Sequence, residues 1–190
     1  MSTVVLLVVL AVIVLWVIGA YNGLVSLKNQ VLNGWKQIDV QLKRRHDLIP
    51  NLVNTVKGAM NFERSTLDAV ISARNRAVSA TSVRETAQAE GQLTQALGRL
   101  FALTEAYPDL KATGNVAQLQ EELTSTENKI GFARQLYNDV ATQYNTRQMQ
   151  FPTNLVSGLA KASPAELWEI EDAGERAVPA VDLSLNKPAS

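Results

Sequence analysis

The sequence predicts an all-α protein: one N-terminal transmembrane helix followed by an antiparallel bundle of long helices. Three observations predict it. An uncharged apolar run fills residues 3–20. Downstream, apolar residues recur every seven positions with a second series offset by four, the stripe that packs helix on helix. No segment alternates with a period of two over a useful length, which argues against a sheet.

The run TVVLLVVLAVIVLWVIGA makes a rod of about 27 Å at about 1.5 Å per residue, near the hydrocarbon thickness of a bilayer. Trp16 and Tyr21 suit its interfacial margins. A cleaved signal peptide wants a basic stretch first, and here Met1 and Ser2 alone precede the run, which passes into a helical pattern without a cleavage site. The expectation is a two-residue tail (1–2) and a retained span over 3–21. Lys28, Lys36, Lys43, Arg44 and Arg45 follow it, so the positive-inside rule puts the rest of the chain in the cytoplasm. Lys28 and Lys36 alone lie where that rule is strongest, and a periplasmic domain is the competing placement. Gly19 and Gly23 have the spacing of a helix-dimer motif, but at the interface it reads as coincidence.

Beyond the span, Leu24, Val31, Ile38 and Leu52 form one series and Trp35, Leu42, Ile49 and Val56 the other, with Arg45 on the stripe. Pro50 should kink or divide this helix near Leu48–Ile49. A shorter amphipathic helix is expected from Asn61 to Ser79. Ser82 and Glu85 match a capping box that opens a third helix, ending near Tyr107-Pro108. In the fourth, Val116, Leu123, Ile130, Tyr137, Tyr144 and Phe151 stand seven apart, beside Leu119, Thr126, Ala133 and Val140. These helices define a bundle over 22–152, closed by Phe151-Pro152. Ser163-Pro164-Ala165-Glu166 reads as a helix start within a short helical segment over 153–174. After Gly174 the composition suggests a disordered tail, 175–190.

Lys plus Arg and Asp plus Glu are 18 each, which removes the cationic field that nonspecific nucleic-acid binding uses. No cysteine and one histidine, His46, exclude thiol catalysis, zinc–thiolate sites and multi-histidine metal centres. No metal or cofactor is expected. Charge is nonetheless uneven: residues 1–62 hold six bases against two acids and the remainder twelve against sixteen, a polarity able to align helices or neighbouring subunits.

The run Arg44-Arg45-His46-Asp47-Leu48-Ile49-Pro50-Asn51-Leu52-Val53 with Val56-Lys57-Gly58 resembles the signature of LemA family proteins. So do Tyr107-Pro108-Asp109-Leu110-Lys111, Glu127-Asn128-Lys129-Ile130 with Phe132-Ala133-Arg134, Tyr137-Asn138, Tyr144-Asn145 and Phe151-Pro152. The match covers most of residues 1–152 in order. The resemblance implies a bacterial, single-span protein of long antiparallel helices, with no established enzymatic activity and an association with membrane processes, among them the biogenesis of specialised compartments.

The candidate structural or interaction residues are Arg44, Arg45, Asp47, Pro50, Asn51, Asn128, Arg134, Asn138, Asn145 and Trp168. Arg45, on an apolar stripe, needs a carboxylate from a neighbouring helix. The alternative, contact of the basic cluster with anionic headgroups, is weakened by the roughly 30 Å of helix that separates it from the bilayer. His46 and Asp47 are adjacent on a helix and so do not face each other, which counts against catalysis. The repeated asparagines of the fourth helix suggest cross-links between helices or caps on backbone groups near Pro50. Trp168 should dock on its own bundle.

The resulting expectation is a noncatalytic, membrane-anchored scaffold that self-associates, its partners being the bilayer and further copies of itself. An adaptor presenting a helical surface to a membrane protease or transporter is the second reading. A hydrolase or transferase is the third, and lacks any phosphate loop or ligand-spaced cluster.

Overall fold

A computed structural model describes residues 1–57, 64–107 and 114–169. Among them the chain forms five helices and no strand: α1 (Ser2–Lys57), α2 (Arg64–Ser79), α3 (Val83–Glu105), α4 (Gly114–Met149) and the single turn α5 (Asn154–Ser157).

The N-terminal apolar run, a candidate membrane span by length and composition, and the first bundle helix are one continuous rod. Its 56 residues extend about 84 Å. Val4 to Ile18, Val17 apart, project exposed apolar side chains, the surface a bilayer would solvate. The stripe residues Leu24, Val31, Ile38, Leu42, Ile49, Leu52 and Val56 are buried. Of the kink or division expected near Leu48–Ile49, the division does not occur: α1 runs unbroken through Pro50. A helical proline leaves the carbonyl four residues back without its N–H partner. That carbonyl belongs to His46, and Arg74 Nε of α2 donates to it at 2.9 Å. A side chain from the next helix thus replaces the missing backbone donor.

The other elements turn back and forth along α1. The capping box at the start of α3 is complete: Glu85 N donates to Ser82 Oγ at 3.2 Å, and Ser82 N to Glu85 Oε2 at 3.3 Å. The backbone N–H of Thr81, with its hydroxyl and the Ser82 N–H, holds the Glu85 carboxyl below its usual range. Ser82→Ala should cost about 1 kcal/mol, read as a lower denaturation midpoint; an unchanged midpoint would mean the box contributes nothing.

The helices differ in length, and this shapes the core. α2 and α3 reach along only the distal half of the long α1–α4 pair. There, Ile49, Leu52 and Val56 of α1 meet Leu67 and Val70 of α2, Leu93, Leu97 and Leu100 of α3, and Val116 and Leu123 of α4 in a four-helix core. Each such fully buried aliphatic side chain contributes roughly 1.5–3 kcal/mol relative to exposure. Nearer the N-terminal run, the core narrows to Val31, Ile38 and Leu42 against Ile130, Ala133, Tyr137, Ala141 and Tyr144, with Ala87 contributed by α3. The two backbones approach closely at Gly34, where an added Cβ would stand 3.4 Å from the Tyr137 Cα.

This half, next to the N-terminal apolar run, is covered by the C-terminal segment, and the expected helix there is corrected. Apart from α5, residues 162–169 are non-helical despite the Ser163-Pro164-Ala165-Glu166 start. They run as an extended strap with Trp168 buried against the α1–α4 pair. The continuation of that segment to 174 and the tail 175–190 lie outside the described residues.

Candidate functional site

Polar groups gather at two levels of the bundle. The first is where the four-helix half begins. Arg45, placed on the buried stripe by its seven-residue spacing from Ile38 and Leu52, is 3% exposed. Its Nη1 donates to Glu90 Oε2 at 3.0 Å, and its Nη2 to Thr94 Oγ1 at 2.8 Å. The same Nη1 stands 2.9 Å from Glu127 Oε2, an ion pair without hydrogen-bond alignment. His46 Nε2 meets the other Glu90 oxygen at 2.6 Å. One carboxylate therefore ties two consecutive α1 side chains to α3, while Glu127 ties in α4. Each charge has partners, which burial demands.

Glu90, Thr94 and Arg74 were not among the candidates from sequence. Glu90 could have been found, because it stands seven residues before Leu97 on the buried face of α3. Arg74 had no comparable signal; it is explained only by the carbonyl that Pro50 leaves free.

The remaining candidates nearby are peripheral. Arg44 faces outward, 3.8 Å from Glu122; a pair so exposed contributes little. Asp47 and Asn51 are exposed. The Asn51 carbonyl accepts from Thr55 Oγ1 at 2.8 Å. Asp47 lines a cleft with Lys43, His46, Arg74 and Thr81, but His46 is committed to Glu90 inside the bundle. No group of three metal-binding side chains occurs among the described residues.

The second level is the strap. Asn138 Nδ2 donates to the Trp168 carbonyl at 2.9 Å while its Oδ1 accepts from Trp168 N at 2.8 Å. Asn145 treats Ala165 in the same way, at 2.9 and 2.8 Å. The spacings agree: seven helical residues rise about 10 Å, and three extended residues span about the same. Each amide thus mimics a strand partner. These four bonds explain the missing helix, since they occupy the backbone groups that a turn at Ser163–Glu166 would need. The asparagines do cap backbone groups, but on the strap, not near Pro50. Trp168 packs 6.0 Å from Trp35 between ring centroids, with the Arg134 guanidinium 5.8 Å from its ring.

Tyr137 completes the latch by donating to the Glu166 carbonyl at 2.7 Å. Burial, with a smaller contribution from the Glu166 carboxylate, raises its pKa above the usual tyrosine range. The strap is therefore secured while the phenol keeps its proton. Stability from this group is full below about pH 10, the unfolded value, and lost as pH climbs through the raised folded value. Alkaline titration should release the strap, read as a red shift of tryptophan emission, and Tyr137→Phe should flatten that transition. An identical alkaline transition in the variant would remove Tyr137 as its source.

On the opposite face of the α1–α4 pair lies a shallow groove lined by Lys36, Val40, Gln41, Lys129, Phe132 and Leu136. Phe132 is 74% exposed and Val40 62%. Asn128 lies beside it, in a groove along α4 that also includes Phe132. This apolar shelf is not used by any described contact of the bundle.

Comparison with known proteins fits this architecture. Residues 34–183 match the model of the LemA family. The chain is 30% identical over 142 residues to Protein LemA of Metamycoplasma hominis, covering 74% of this chain and 64% of that protein. It is 30% identical over 87 residues to Magnetosome protein MamQ 2 of Paramagnetospirillum magneticum, covering 46% of this chain and 32% of that protein. Over 181 residues it is 21% identical to Magnetosome protein MamQ of Magnetospirillum gryphiswaldense, covering 82% and 66% respectively. The first two are thus spanned over less than two thirds of their length. The family match takes in the bundle from Gly34 onward together with the strap, and by it this chain belongs to the LemA family.

Proposed function

We propose that the chain is a noncatalytic, single-span scaffold that self-associates at a bacterial membrane, its helical domain on the cytoplasmic side. The observation that carries this reading is the exposed apolar shelf of Val40, Phe132 and Leu136 on the two longest helices. Apolar side chains so exposed and contiguous mark interaction surfaces. The interior chemistry supports a holding role, since Arg45, His46 and Glu90 are spent on one another. Two copies anchored in one bilayer carry their shelves at the same height, so shelf can meet shelf about a two-fold axis along the membrane normal. Confinement to the membrane raises the effective concentration of copies. Two of the similar proteins are magnetosome proteins, which fits a role at a membrane.

With no native cysteine, Phe132→Cys provides a unique crosslinking site. Disulfide-linked dimers in membranes, and a homo-oligomer by native mass of the detergent-extracted protein, are expected; Val40→Glu, added to the Phe132→Cys chain, should reduce both. A strict monomer in mild detergent and in membranes would defeat the reading. One stoichiometric foreign partner without a homomer would favour the adaptor instead.

A further inference from the structure

The turn between α4 and the strap carries apolar side chains that the bundle does not use. Met149, Phe151, Leu155 and Leu159 are 73%, 79%, 68% and 72% exposed, and the last three are spaced by four. Behind them Thr153 and Val156 are buried, and α5 packs on α1 and α4.

Register fixes the height of this turn. Gly34 faces Tyr137, so equal steps along the antiparallel pair bring Met149 level with Asn22. Asn145 holds Ala165, so the strap leaves the turn from a similar height. The residues between lie on the span side of that level. Burial on α1 agrees: Leu24 and Ala20 are buried and Val17 is half-buried, although Val17 belongs to the uncharged run.

We propose that residues 149–161 form a second membrane anchor, in which Met149, Phe151, Leu155 and Leu159 enter the bilayer interface beside the transmembrane helix. This rests on the membrane reading of the N-terminal run. The backbone is prepared for such a place, because an interfacial segment must satisfy its own N–H groups. Gln150, Asn154, Val156, Ser157, Ala160, Lys161 and Ala162 all donate to carbonyls within or just before the turn. Its charges are suited to headgroups. From Val140 to Ala165 the charged residues are Arg147 and Lys161, both exposed, and Lys28 stands exposed on α1. Cations so placed are drawn to anionic headgroups while the apolar face sinks between acyl chains. Lys161 also has φ 44°, a left-handed conformation that glycine enters more readily than other residues, yet a cation stands there.

The test uses full-length protein in vesicles of zwitterionic and anionic phospholipid, labelled at single cysteines with an environment-sensitive dye. Leu10→Cys reports on the span, Leu155→Cys and Leu159→Cys on the turn, and Val40→Cys on the bundle. The expected result is blue-shifted emission at 155 and 159, quenched by shallow lipid-borne spin labels and severalfold less by iodide than at 40. Lipid quenching at 10 together with full iodide access at 155 and 159 would overturn the second anchor while leaving the span intact. Loss of lipid quenching at position 10 as well would overturn the membrane reading itself. Shielding at 155 that disappears as protein is diluted in lipid would assign the surface to a second copy, and so overturn the proposal.

Discussion

Glu90→Ala should cost the domain about 3–5 kcal/mol, because it removes one side of a buried ionic cluster and strands the other. Arg45 would keep the partly exposed Glu127 at 2.9 Å and Thr94 at 2.8 Å, but His46 would lose the carboxylate at 2.6 Å. Glu90→Gln keeps an acceptor and should fall between the variant and the native protein. The cluster is a coupled unit, so the loss should shrink when its counterpart is absent. Arg45→Met in the Glu90→Ala background should cost less than Arg45→Met alone, with a coupling of roughly 0.5–3 kcal/mol. Denaturant midpoints of the detergent-solubilised chain, followed by far-ultraviolet circular dichroism, give all four corners of that cycle. Strictly additive losses would show that Arg45 and Glu90 merely coexist in the interior.

The same cluster shows what could be read from the chain. Arg45 was predictable because a charge interrupted a regular stripe, and a stripe fixes which face is buried before any partner is known. The helices were legible for that reason: hydrophobic period is local information. Glu90 carried the same signal more faintly, since the face of α3 also admits Thr86 and Thr104. The division allowed for at Pro50 and the helix start at Ser163-Pro164 failed in a consistent way. Both local rules were sound, and in both a tertiary hydrogen bond intervened, from Arg74 to the His46 carbonyl and from Asn138 and Asn145 to the strap. Such bonds join residues roughly twenty to thirty positions apart and leave no periodic trace. The asparagines stood out only as poor helix formers with an unspecified task.

Trp168→Ala is the complementary experiment at the membrane-proximal level. Truncating a buried tryptophan typically costs about 3–5 kcal/mol, and this one also gives up its contact with Trp35 and the Arg134 guanidinium over its ring. The loss has an upper bound in the docking free energy of the strap, because a strap that detaches no longer carries a cavity. Its effect should therefore be local. Residues 162–169 should become open to protease and Trp35 emission should shift to the red, while the distal core of Leu52, Val70, Leu93 and Leu123 keeps its helical signal. Asn145→Ala removes the two hydrogen bonds to the strap instead of an anchor, and should cost about 1–3 kcal/mol with the same local signature. A cooperative collapse of the whole helical signal on Trp168→Ala would mean that the α1–α4 pair cannot stand without its cover. A protected strap with unchanged Trp35 emission would mean that Asn138, Asn145 and Tyr137 hold it without the tryptophan.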